Sequence, residues 1–248
     1  MSRSPLIAVV LATLLSGSLT PALGYSGGTG EPNNPYQIAI PADWQQLMAT
    51  STHWNKHFIL TADLNLAGVT LTPVGNNTTK FTGVFEGQNH VIRNAVINQP
   101  SSNYIGLFGY VSGAAAQIRN LGLAGGIITG YWGVGGLVGA NDYGTITVCY
   151  ATGHVTGSSF YVGGLVGYNY YGAISASYAT GAVSGPSFFV GGLVGYNYSG
   201  SISACYATGP VTGRPYSRSS FHVGGLVGVN SSGTITACYA TGPVTGSY

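Results

Sequence analysis

The chain has 248 residues, of which only 5% are charged, with 41 glycines, 18 tyrosines and a formal net charge of +2. Ordinary domains carry about 25% charged residues and about 7% glycine, so this chain stays in solution through hydroxyls, amides and a thoroughly paired backbone. So little charge excludes an electrostatic footprint for nucleic acid or an anionic membrane surface, and 45% apolar residues in a periodic arrangement argue for a packed core over disorder.

The N-terminus reads as an export signal. Arg3 precedes the apolar stretch Leu6–Leu15, and Ala22-Leu23-Gly24 places small residues where a signal peptidase cuts, so residues 1–24 are expected to be removed after Gly24. The apolar run is far short of the ~20 residues needed to span a bilayer, and glycine or polar residues interrupt every later one. No membrane span is expected in the mature chain, which is secreted or held at the cell surface.

Residues 25–80 read as an N-terminal linker and a small α/β cap. Residues 25–35 (YSGGTGEPNNP) look like a flexible start. Asp43–Ala49 has the pattern of a short helix with Asp43 at the N-cap, and Phe58–Leu66 that of a first strand. With Leu71–Asn77 these cover the open edge of a β-rich region beginning at residue 81, since an exposed strand edge invites aggregation.

From residue 81 onward the sequence repeats. V-G-G-L-V-G occurs at Val134, Val162, Val190 and Val223, at intervals of 28, 28 and 33 residues, with the extra five assigned to the loop Arg214–Arg218. Weaker copies begin at Phe81 and Tyr104, giving six units near 81, 104, 134, 162, 190 and 223. Within a unit the segments are short, rich in Val, Ile, Thr and Tyr, and broken by Gly, Asn-Tyr or Thr-Gly, so no helix fits. Three strands per unit are expected, for example Tyr161–Tyr168, Ala173–Thr180 and Ala182–Ser184. A unit that cannot bury a face alone must stack on its neighbours at about 4.8 Å per coil. Like residues then form ladders, and sameness of sequence keeps register.

Two ladders stand out. Asn141, Asn169, Asn197 and Asn230 hold one slot, expected at a turn where asparagine tolerates left-handed backbone and stacked amides bond to each other. Cys149, Ser177, Cys205 and Cys238 hold another. Cys149 and Cys205 are two coils apart, beyond disulfide reach, whereas Cys205 and Cys238 are neighbours that distance alone allows to bridge. Small half-buried ladder residues are the plainer reading. Which strand face is inward stays open: Ile and Tyr of the I-x-x-C-Y segment share one parity and Cys the other. The last unit stops about three residues short of a further V-G-G-L-V-G, which implies further coils of a longer array, or self-association, at that edge.

The core Gly135–Gly139, with Gly163–Gly167, Gly191–Gly195 and Gly224–Gly228, resembles the GLUG motif, a repeat of secreted and cell-surface bacterial proteins that includes filamentous-haemagglutinin-type adhesins. The resemblance covers roughly residues 81–248. It implies an all-β fold, a right-handed parallel β-helix of about six coils behind the small cap, and export, but no shared catalytic residues. The segment Phe81-x-Gly-x-Phe-Glu-Gly-x-x-His-x-Ile92 also resembles a first coil seen in secreted β-helix proteins, some of them polysaccharide-active.

Chemistry-bearing residues are sparse. The chain has five carboxylates, Glu31, Asp43, Asp63, Glu86 and Asp142, and a glycosidase pair needs two within about 5–9.5 Å. Glu86 with His90 or Asp63 is the remaining catalytic candidate, against a reading of Glu86 and His90 as turn residues. No histidine spacing fits a metal site and no cofactor motif is present; His53 and His57, four apart, would share one face of a helix. Tyr168, Tyr170, Tyr171, Tyr196 and Tyr198 form two adjacent rows able to bind sugar rings or anchor a partner, or to act as wedges between turns. The expectation is therefore a non-enzymatic, adhesin-like or structural β-solenoid whose partner is a surface glycan or a protein of a host or neighbouring cell. A carbohydrate-active lyase or hydrolase using the first coils is the alternative, and a fragment with no role of its own is a third.

Overall fold

The structure is a computed structural model describing residues 24–186, 188–214 and 222–246. Residues 1–23, nearly all of the expected signal, and residues 215–221, most of the Arg214–Arg218 loop, lie outside it. The chain winds as a parallel β-solenoid of about six turns, with each strand paired in parallel to its counterpart one coil on. Register follows the repeat: Val134 pairs with Val162, Val162 with Val190, and Val190 with Val223. Because Pro186 is opposite Arg214, the five extra residues of the long interval all fall between Arg214 and Val223.

One turn shows how residues choose the path. Val162–Gly163 and Val166–Tyr170 are separate strands in separate sheets, so the expected single strand Tyr161–Tyr168 bends at Gly164-Leu165. Gly164 is needed at that corner, because a Cβ there would press on the Gly192 carbonyl oxygen of the next coil and on the Ala179 side chain. The chain then turns at Tyr171-Gly172, runs through Ala173–Ser175 and Tyr178–Ala179, and closes along Val183–Pro186.

The second expected strand is broken as well. Ala176 sits in the left-handed region at φ 47°, as do Val148, Ala204 and Ala237 at 52°. Each makes a one-residue kink, with the flanking residues still paired one to one across coils. It puts Ile174 and Ser177 both inside while Tyr178 points out, and so settles which residues face inward.

The cap differs from expectation in three respects. Tyr36–Ile38 and His57–Leu60 pair in parallel with each other and onward to Val84–Glu86, so they add two layers to the same sheet as the repeats. Helix α1 runs Pro41–Ala49, because Pro41 is pre-set for a first helical turn; Asp43 lies inside it and reaches back to accept the Ala39 and Ile40 N–H groups at 2.8 and 3.1 Å. The start of the chain is anchored: Ser26 donates to Asp43 at 2.7 Å, and the Tyr25 ring packs on Tyr36 and Phe58.

The core changes along the axis. Trp44, Phe58, Phe81, Phe85 and Phe108 plug the first turns, with Trp44 edge-on to Phe85 and Phe108. Further along, Leu165, Val166, Ile174, Ala179 and Val183 fill a narrower interior, and their repeats do the same in adjacent coils. In the last described coil Ile235, Tyr239 and Val244 are exposed.

Candidate functional site

Both ladders form, and both are structural. Asn141 donates to Asn169 at 2.8 Å, Asn169 to Asn197 at 2.7 Å and Asn197 to Asn230 at 2.7 Å. Each amide also donates to the glycine carbonyl three residues on, Gly144, Gly172, Gly200 or Gly233. The first three asparagines are fully buried, and none of the four is left-handed; that conformation falls two residues later, on Tyr143, Tyr171, Ser199 and Ser232. Gly172 has no room for a Cβ, which would strike the Asn141 and Asn169 amides. The cysteine slot answers a need made by the kink: Ser177 Oγ accepts the Cys149 N–H at 3.0 Å, and Cys238 Sγ accepts the Cys205 N–H at 3.3 Å. A short acceptor suffices, so Ser and Cys interchange. All three cysteines are free thiols, and burial pushes Cys149 up to about 12 and Cys205 up to about 11.

The sheet that runs through Val138–Asp142 and Val166–Tyr170 carries the aromatic face. Tyr168 stacks on Tyr196 at 5.6 Å and Tyr170 on Tyr198 at 5.2 Å, and Tyr171 stacks on Tyr143 at 5.0 Å. Tyr161 and Phe189 extend the field, and Trp132 fills the gap above Gly133 between Tyr104 and Tyr161. The five predicted tyrosines are therefore brought together, but as stacks: a neighbour covers ring faces, leaving mainly edges and hydroxyls to solvent. Burial and nearby phenols push Tyr168 well above its ordinary value, and burial, with Asp142 adding, pushes Tyr110 up to about 12.

The catalytic candidates separate into two unrelated clusters. Glu86 accepts from Arg119 Nε at 2.6 Å, from the Asn120 amide and from the Gln88 N–H. Asp63 accepts from His90, the Val91 N–H and Arg93 at 3.2, 2.9 and 3.1 Å, and the Val91 N–H, with Arg93 and His90 adding, holds its carboxyl below the usual range. Asp63 and His90 thus meet, while Glu86 contacts neither of them. Each acid is clamped by an arginine of the next coil. His53 closes a short 3-10 turn and His57 opens a strand, so they do not share a helix face. No group of three or more metal-ligating side chains occurs among the described residues.

Two further features were not anticipated from the sequence. Tyr150, Tyr178, Tyr206 and Tyr239 form a column at centroid spacings of 4.9, 4.7 and 5.1 Å with planes within 7°. The fixed Tyr-Ala-Thr-Gly phrase signals it. A groove of about 380 Å³ also opens between the loops 72–80 and 99–105, floored by Met48, Trp54 and Ile105. It lies in the non-repeating coils, where no pattern announces it.

Fold and ladders together define a parallel β-solenoid built on a repeated glycine-rich corner. The repeats are GLUG motifs: the motif matches four times, at residues 130–156, 158–184, 190–212 and 219–245. The chain is 33% identical over 144 residues to halomucin of Haloquadratum walsbyi, which covers 53% of this chain and 2% of that protein. It is 38% identical over 130 residues to a provisionally named Gly-rich membrane protein of Evansella cellulosilytica, covering 49% of this chain and 15% of the relative. The chain thus spans a small part of either relative. Among solved structures, a provisionally named immunoglobulin A1 protease from Bacteroides ovatus superposes with a TM-score of 0.70 at 23% identity, covering 90% of this chain and 70% of that one; the likeness is one of fold. No helix among the described residues is long and apolar enough to cross a membrane.

Proposed function

We propose that this chain is an exported, surface-displayed, non-enzymatic β-solenoid module that binds, in the manner of an adhesin, a glycan or a protein of another surface. The observation that carries the reading is the outward aromatic and hydroxyl pattern, repeated over adjacent coils with almost no charge. A rod of this kind binds through several weak, similar contacts acting together. The names of the two relatives, a halomucin and a Gly-rich membrane protein, agree with a place at the cell boundary. The arginine clamps on Glu86 and Asp63 favour structural roles for the acids of the first coils.

The test is a glycan and cell-surface binding screen with the purified protein, coupled to product analysis on every glycan bound. Binding without turnover, unchanged in Glu86→Gln and stronger to multivalent than to monovalent display, is the expected result. Turnover that disappears in Glu86→Gln would replace this reading with a polysaccharide-active enzyme. Protease shaving of intact producing cells checks the location, since an exported surface module loses its GLUG repeats to the external protease.

A further inference from the structure

We infer that the groove between the loops 72–80 and 99–105 is a recognition site for a neutral sugar unit. The inference rests on the reading of the rod as a binding module and moves its specificity away from the tyrosine rows. In those rows stacking covers ring faces, so a sugar cannot lie flat along them; the groove supplies what they lack. Its volume of about 380 Å³ falls within the range of small-molecule sites.

The groove has an apolar floor and a rim of amides and hydroxyls. Trp54 is fixed by its indole N–H donating to the Leu47 carbonyl at 2.8 Å, and it lies beside Met48 and Ile105. Gln99, half-buried, and Asn103, exposed, line the groove, and among the described residues neither side-chain amide has a hydrogen-bond partner. Each offers two donors and an acceptor, the complement of adjacent sugar hydroxyls. Asn76 is held in place by accepting the Thr78 and Thr79 N–H groups at 2.9 Å, which leaves its NH2 free towards the groove edge. Tyr104 makes the wall, its ring pinned edge-to-face between Tyr110 and Trp132 at 4.9 and 4.7 Å.

Charge decides the class of ligand. No acid or base lines the groove. The nearby ammonium of Lys80 is already engaged, 5.3 Å over the Tyr110 ring and 3.3 Å from the Asn77 carbonyl. A sialylated or sulfated unit would find no cation of its own, whereas a neutral hexose or N-acetylhexosamine sets its C–H face against Met48 and the Tyr104 wall, the half-buried apolar groups of the groove, and its hydroxyls on Gln99 and Asn103.

The test compares the protein with Gln99→Ala/Asn103→Ala and Tyr170→Ala/Tyr198→Ala on arrayed neutral, sialylated and sulfated oligosaccharides, with circular dichroism to show that each variant folds. Binding confined to neutral glycans and weakened at least tenfold by Gln99→Ala/Asn103→Ala, far more than by Tyr170→Ala/Tyr198→Ala, is expected. Loss through the tyrosine pair alone overturns the groove while leaving the rod a binding module. Failure to bind any neutral glycan at millimolar concentration overturns the sugar assignment. Release of product from a glycan that still needs Gln99 and Asn103 upholds the groove and overturns the non-enzymatic reading.

Discussion

The Asn169 amide donates in two directions, to the Gly172 carbonyl of its own turn at 3.0 Å and to Asn197 Oδ1 of the next coil at 2.7 Å. One side chain thereby fixes a corner and joins two layers, and the same pair of bonds recurs at Asn141 and Asn197. The ladder is directional, and its first acceptor, Asn141 Oδ1, is buried without a partner because Val111 occupies the slot one coil back.

Asn169→Ala should therefore cost about 3 kcal/mol, since it leaves the Asn197 oxygen and the Gly172 carbonyl buried and unmet. Asn169→Asp at neutral pH should cost at least as much, because a carboxylate has no N–H to give and faces two acceptors. Urea unfolding measures both. A loss below about 0.5 kcal/mol for either would show that the ladder is ornamental.

The slot shared by serine and cysteine yields a rescue experiment. Ser177→Ala orphans the Cys149 N–H and should destabilise by about 1–2 kcal/mol. Ser177→Cys should restore most of that, as Cys238 does for Cys205. Equal stability of the alanine and cysteine variants would refute the acceptor role.

Gly164→Ala should destabilise by about 1–3 kcal/mol through overpacking, its methyl driven into the Gly192 carbonyl and Ala179. Gly68→Ala is the control: a Cβ there has nothing within 4 Å, although its φ of 77° carries a cost of its own. A Gly164→Ala protein as stable as the parent would mean that the corner is not close-packed.

Stability should be level from about pH 4.5 to about pH 8.5 and fall on both sides. Below that window Asp63, whose carboxyl is held below its ordinary value in the fold, becomes protonated and its stabilisation is lost. Above it the unfolded chain releases protons from cysteine and tyrosine, while burial keeps Cys149 protonated up to about 12 and Tyr110 up to about 12. The folded state then binds more protons, so stability falls as pH rises. Thermal melts across pH 3–11 check the shape, and a maximum above pH 10 would contradict it.

What the sequence made legible was whatever repeats. The identical columns at Val134, Val162, Val190 and Val223 announced parallel stacking, and the structure keeps that register across the 33-residue interval. Alternation alone could not show the left-handed residue at Ala176, because nothing about an alanine advertises positive φ; the kink comes from the geometry of the coil. The aromatic rows were visible as residues, but their stacking was not, since it arises from coil spacing combined with side-chain tilt. Gln99, Asn103 and Trp54 form a groove by meeting from separate turns of the non-repeating region, where local pattern carries no signal.

The inter-coil bonds have a mechanical consequence. Every ladder bond between coils, backbone or amide, runs along the rod's long axis, so tension applied along that axis pulls on one coil's bonds at a time. Coils should peel off in sequence, each 28-residue turn releasing on the order of 90 Å of chain at a modest and nearly constant force. Tension across the axis instead loads many strands in shear at once and should be resisted far more strongly. Anchored at one end and pulled at the other, such a rod would lengthen step by step and limit the load on whatever it holds.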